Sequence, residues 1–533
     1  MKKHTLKCLF TSAMVITSFT SCGPKEESFS SRTELSSVNK SEVYEEPAGS
    51  PSLNNSSSDN ISYSTSTNDA DYMYFGSEEY SEIVENGFKS VAANPLSTFS
   101  ADVDTASYAN IRRMINDIGY IYDTNAVRIE EMINYFDYNY KAPTDTPFSV
   151  TTEMSECPWN TENKLLSIGV KGQEIDTERV PSNIVFLLDV SGSMYSEDKL
   201  PLMAEAFCML AENLDENDRV SIVTYAGADA VLLTGTPGNE YEEISRVLNS
   251  LEASGSTNGA AGINTAYELA EEYFIEGGNN RVILATDGDL NVGVSTVEGL
   301  EKLISEKRET GVYLSVLGFG TGNIKDNKME TIADKGNGNY AYIDSISEAR
   351  KTLVEEMGGT LFTIAKDVKF QVEFNPAYVS EYRLVGYENR LMNDEDFYDD
   401  KKDAGEIGAG HTVTALYEIT PVGSDIPLKY QPEKVSETEY SDEWLTVSVS
   451  YKAPDSDESQ ILKFPVSEEK MTDFPSENMQ FATCVAEFGM LLSESEYSGN
   501  VTYDDILNTL YGLDCVRQDK YKQEFVELVE IVS

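Results

Sequence analysis

Histidine is almost missing from this sequence: there are two in 533 residues, and only His411 lies beyond the N-terminal targeting stretch. That excludes a His-rich zinc site and argues against Ser-His-Asp catalysis. No Gly-Lys dipeptide occurs, so there is no phosphate-binding loop of the Gly-Lys-Ser/Thr kind. Gly318-Phe319-Gly320-Thr321-Gly322 follows a predicted strand, but Asn323 occupies the third glycine position of the dinucleotide fingerprint, so that reading fails. Positive charge is scarce. Forty Lys and Arg face 92 Asp and Glu, a net charge of −52. Such a balance argues strongly against nucleic acid and against adsorption to anionic lipid, and it favours divalent cations and basic partner surfaces. Cysteine is sparse too: of six, Cys157, Cys208, Cys484 and Cys515 lie beyond the N-terminal segment. None has zinc-ligand spacing, and Cys208 and Cys484 sit on or beside apolar helix faces as small hydrophobes.

Long apolar runs are also lacking. Leu9 to Phe19 is short and broken by Thr and Ser, too short to span a membrane. It follows Lys2, Lys3 and Lys7 and precedes Phe19-Thr20-Ser21-Cys22, which resembles a bacterial lipobox. Residues 1–21 are therefore expected to be a lipoprotein signal peptide, with lipid on Cys22 as the only membrane anchor. Residues 22–77, rich in Ser, Thr, Asn and Glu, read as a disordered tether.

Beyond the tether, apolar periodicity sets the organisation. Tyr108, Ile111, Ile115 and Ile118 predict a helix behind Asp104 and Thr105 as N-cap candidates, and Ile129, Met132, Ile133 and Phe136 predict a second. Residues 78–146 thus read as an N-terminal helical region. Residues 182–358 alternate strands and helices, which predicts a doubly wound, mainly parallel α/β sheet with 231–234 as an antiparallel edge. On either side, 147–181 and 359–470 carry strands alone, seven in all, so the α/β unit is expected to be inserted into an all-β sandwich. Residues 471–533 form C-terminal helices, whose apolar faces (Phe481, Cys484, Val485 and Phe488; Tyr521, Phe525, Leu528 and Val532) should pack on the early pair.

One stretch carries chemistry. Ile184-Val185-Phe186-Leu187-Leu188 reads as a strand buried on both faces, ending in Asp189, Ser191 and Ser193 with Gly192 to permit a turn. Ligands bind outside the carboxyl ends of such strands. Two further loops, offering Thr257 and Asp287, are expected to converge there. The set resembles the metal-ion-dependent adhesion site of the von Willebrand factor type A family, which combines Asp-x-Ser-x-Ser with a Thr and an Asp. Asn94-Pro95-Leu96-Ser97-Thr98-Phe99, Gly277-Gly278-Asn279-Asn280-Arg281 and Lys335-Gly336-Asn337-Gly338-Asn339-Tyr340 extend the likeness. They resemble a bacterial lipoprotein family that flanks this domain with a helical N-terminal region and a C-terminal region of unassigned function.

The resemblance implies that the hydroxyls of Ser191, Ser193 and Thr257 touch a metal, with Asp189 and Asp287 acting through water. All-oxygen ligation suits Mg²⁺, with Mn²⁺ or Ca²⁺ as alternatives. An exchangeable position would accept a carboxylate from a protein partner. Asp289 and Asn291 have calcium-loop-like spacing, but the glycine is misplaced for an EF-hand, so they read as turn residues or as supports behind the direct ligands. The expectation is a non-enzymatic, metal-dependent protein-binding module with no catalytic residues. It would be an outer-membrane lipoprotein of a Gram-negative bacterium, facing the periplasm or the cell surface. The alternatives are an envelope scaffold with a structural metal and a metal-dependent hydrolase.

Overall fold

The chain begins with two short strands, β1 (Lys89–Ser90) and β2 (Leu96–Ser100), and two helices, α1 (Ala106–Ile118) and α2 (Ile129–Asn134). Strands β3 (Phe148–Glu156) and β4 (Lys164–Gly172) follow. Alternation then sets in with β5 (Ser182–Asp189), α3 (Leu200–Ala211), β6 (Arg219–Tyr225), β7 (Asp229–Pro237), α4 (Tyr241–Leu248) and α5 (Gly259–Glu272). It continues through β8 (Asn279–Thr286), α6 (Val297–Arg308), β9 (Tyr313–Phe319), α7 (Asp326–Lys335), β10 (Tyr340–Ile343) and α8 (Ile346–Arg350). Strands β11 (Thr363–Phe374), β12 (Val379–Val385), β13 (Gly405–Gly408), β14 (Thr412–Pro421), β15 (Glu443–Lys452) and β16 (Ser459–Ser467) come next. Helices α9 (Glu477–Leu492), α10 (Tyr503–Leu510), α11 (Asp514–Gln518) and α12 (Lys520–Val532) close the chain. The structure, a computed structural model, describes residues 78–533 except 102–103, 175–179, 256–258, 289–296, 323, 357–362, 424–441, 455 and 457. The signal peptide, the tether and Cys22 lie outside the described residues, as do Thr257, Asp289 and Asn291.

Six strands build the α/β sheet in the order β10-β9-β8-β5-β6-β7. Only β7 runs antiparallel, as the sequence predicts for that edge. Strand β5 is buried at every residue because successive side chains leave opposite faces and both faces are covered. Val185 and Leu187 belong to one core on one side, together with Ile263, Tyr267, Leu300 and Met329. Ile184, Phe186 and Leu188 belong to a second core on the other, together with Met203, Phe207, Ile244 and Leu248. Each such side chain contributes about 1.5–3 kcal/mol on burial.

The remaining strands form two five-stranded sheets. One has the order β1-β12-β14-β4-β3, and the other β13-β11-β15-β16 with β2 on β11. Their inner faces share one apolar core that includes Phe99, Phe148, Leu166, Phe370, Tyr382, Tyr417 and Val447. Strand β4, before the α/β unit, pairs directly with β14, after it, so the sandwich closes around an insertion. Strands β1, β2 and β13 were not expected, and two of them fall in the region read as helical only. Strand β2 has just Leu96 and Phe99 as large apolar residues, and its partner lies some 270 residues on, in the register Phe99 with Phe370. No local period marks such a strand.

The helices meet as anticipated: Phe136 on the N-terminal side contacts Phe481 (ring centroids 4.9 Å) and Phe525 (5.6 Å). Helix α1 serves two cores at once. Tyr108, Ile111 and Ile115 enter the helical core, while Ala106 and Ala109 enter the core of the α/β sheet. Thr105 takes the N-cap position without a side-chain bond. The carboxylate of Asp104 instead accepts from the Tyr340 amide at 2.9 Å and from Arg390 at 3.0 Å. Buried ion pairs tie the α/β unit to its surround. Arg112 reaches Asp344 and Glu348, both at 2.8 Å. Arg390 also reaches Glu330 at 2.8 Å and Asp334 at 3.0 Å.

Candidate metal centre

Asp189 is the last residue of β5 and is fully buried. Its Oδ1 accepts the Ser191 amide at 2.9 Å, and its Oδ2 accepts the hydroxyl of Thr286, at the end of β8, at 3.3 Å. Hydrogen bonds gather three loops at this point. The Val190 amide donates to the Tyr225 carbonyl (3.0 Å), Ser254 to Val190 (2.8 Å) and Gly192 to Gly255 (3.1 Å). Gly192 lies so close to the Gly255 carbonyl that an added Cβ would sit 3.3 Å from it. The chain then makes a single 3₁₀ turn, Gly192–Tyr195, held down by fully buried Met194. The hydroxyls of Ser191, at the N-cap of this turn, and of Ser193, within it, stand 3.0 Å apart.

Asp287 follows β8, and only 1 % of its surface is exposed. Its Oδ2 accepts from the Lys199 ammonium at 2.9 Å. Burial pushes the Asp189 carboxyl up to about 6, against the lowering effect of the Ser191 bonds, and the charge of Asp287 adds to the rise. The Tyr225 hydroxyl is buried beside both carboxylates and interacts with Asp189 and Thr286. Two acids and two adjacent serine hydroxyls form an all-oxygen donor set, which suits a hard divalent cation. Among the described residues no group of three or more His, Cys, Asp or Glu could hold a metal. A cation here therefore depends on the serine hydroxyls.

Asp189, Ser191 and Ser193 thus share one turn, with Asp287 on the neighbouring strand end, while Thr257 lies outside the described residues. Sequence reasoning missed Thr286, Tyr225 and Lys199. Thr286 could have been found as the polar residue ending a buried strand. Lys199 sits in sequence beside Glu197 and Asp198, and nothing local signals its pairing with Asp287. The loop rejected as a dinucleotide site has another use: the Thr321 amide donates to Asp198 (3.1 Å) and the Gly322 amide to Glu78 (2.8 Å).

A parallel sheet with an Asp-x-Ser-x-Ser turn at its switch point defines a von Willebrand factor type A domain, and a family model of that description matches residues 183–356. Flanking models described as von Willebrand factor and as the C-terminal part of Uncharacterized protein YfbK match 74–167 and 359–533. The chain belongs to the family of Uncharacterized protein YfbK of Escherichia coli (strain K12), with which it is 42 % identical over 471 residues, 86 % of this chain and 81 % of that protein. It is also similar to inter-alpha-trypsin inhibitor heavy chain H3 of Homo sapiens, 32 % identical over 196 residues, which are 34 % of this chain and 22 % of that protein. A solved von Willebrand factor type A protein from Catenulispora acidiphila aligns with 71 % of this chain and 88 % of its own, at 13 % identity and a TM-score of 0.41.

Proposed function

We propose that this chain is a lipid-anchored, divalent-metal-dependent protein-binding module of the bacterial envelope that carries out no catalysis of its own. The observation that carries the reading is the convergence of Asp189, Ser191, Ser193 and Asp287 at the carboxyl ends of β5 and β8. Neutral hydroxyls as direct ligands leave a cation under-neutralised, ready to take a carboxylate from a partner. Mg²⁺ fits because it keeps several waters, one of which can exchange. Thr257 would complete the set, and the neighbouring Gly255 already contacts Gly192. No helix among the described residues is long and apolar enough to cross a membrane. Lipid on Cys22 of an outer-membrane lipoprotein would supply the attachment.

The test is capture of partners from envelope extract by the full chain, with and without EDTA, beside Ser191→Ala. Capture that needs the divalent ion and is lost in the variant supports the reading. Capture that survives both treatments points to a scaffold, and metal-dependent turnover of a substrate points to an enzyme.

A further inference from the structure

Lys199 occupies a place that costs both the lysine and its helix. It is the N-cap residue of α3, makes no capping bond there, and sets a cation against the positive end of the helix dipole. Its side chain is only 8 % exposed, so the ammonium has lost most of its hydration. What offsets these costs is Asp287, whose side chain is fully buried and whose Oδ2 lies 2.9 Å away. The lysine stem is guided there by a glycine. An added Cβ at Gly320 would stand 2.2–2.7 Å from three carbons of Lys199, and the backbone at Gly320 has φ +74°, which favours glycine. The loop carrying Gly320 is pinned by Asp198 on one side and Glu78 on the other.

We propose that Lys199 is a positioning residue of the metal site, a built-in counter-charge that occupies one oxygen of Asp287. Held this way, Asp287 cannot turn both oxygens to a bound ion, and it stays a supporting carboxylate instead of a full direct ligand. The ammonium also repels the ion. The site therefore binds a divalent cation more weakly than its two acids alone would, and a bound cation stays more attractive to a partner's carboxylate. This inference rests on the metal reading above.

The experiment is titration of the full chain with Mn²⁺ alone, followed calorimetrically, for the parent, Lys199→Met and Ser191→Ala. Losing a positive charge beside the ion should tighten Mn²⁺ binding by about tenfold or more, whereas general damage to the site would weaken it. In EDTA the Tm of Lys199→Met should fall below the parent's, because the buried Asp287 carboxylate loses the Lys199 ammonium, and saturating Mn²⁺ should close that gap. Lys199→Gln carries the same expectation and serves where the methionine variant does not fold. If the parent binds Mn²⁺ and the Lys199 variants bind it equally or more weakly, the counter-charge role is wrong while the metal site stands. If only the Lys199 variants bind, the role holds and the native chain does not work through a metal. If none binds, both are overturned.

Discussion

Ser191 uses two atoms: first its amide, which holds Asp189, and second its hydroxyl, which faces that of Ser193 and also bonds Asp189. Ser191→Ala deletes only the second, so its stability in EDTA should stay within about 1 kcal/mol of the parent's, measured by urea unfolding. The loss should show only as a vanished response to Mg²⁺. Glu487, buried on α9, behaves differently. Burial, with the charge of Asp505 adding, pushes its carboxyl from 4.5 up to about 8. The folded state keeps a proton that the unfolded chain releases, so this group makes stability fall as pH rises from 4.5 to about 8. Glu487→Gln should remove that slope. Its advantage over the parent should grow across the window and level off above it, as urea unfolding below, within and above that range would show. An unchanged pH profile would mean that the native carboxyl is already ionised.

Among the elements, α1 joins the parts of the molecule. Its first buried stripe was legible because Tyr108, Ile111, Ile115 and Ile118 step at three and four residues. Its second buried face was not, because Ala106 and Ala109 are too small to register as an apolar stripe and yet allow close approach to the α/β sheet. Arg112 was equally silent, since an arginine on a helix usually faces water; here it is buried against Asp344 and Glu348. Arg112→Met should cost about 3–5 kcal/mol by leaving two buried acids without their cation. Denaturant unfolding measures it, and a cost below about 1 kcal/mol would mean that those acids are otherwise satisfied. Strands were readable where they carry their own apolar alternation, as in β14 and β15, and the buried run Ile184–Leu188 located the candidate site. Strands β1, β2 and β13 were not, because remote partners define them. Lys199 escaped for the same reason: its role depends on Asp287 and Gly320, 88 and 121 residues away.

Over the whole molecule, the sandwich draws strands from both sides of the insertion. A fragment of residues 360–533 would lack β2, β3 and β4 and would expose the edge of β14 that pairs with β4. It should be insoluble alone and recover when 78–181 is co-expressed; a soluble, cooperatively unfolding 360–533 fragment would refute the shared sandwich. The −52 charge acts at this scale too, drawing cations and basic surfaces to the chain as a whole, with screening limiting its reach to about 8 Å at physiological salt. Metal specificity must therefore come from the loops at the ends of β5 and β8, not from bulk charge. The most direct measurement is thermal unfolding of the full chain and of Ser191→Ala across a Mg²⁺ titration at fixed ionic strength. A Tm that rises with Mg²⁺ in the parent, through preferential binding to the folded state, and stays flat in Ser191→Ala is the expected result. No rise in the parent, or an equal rise in both proteins, would contradict a metal site built on Asp189, Ser191, Ser193 and Asp287.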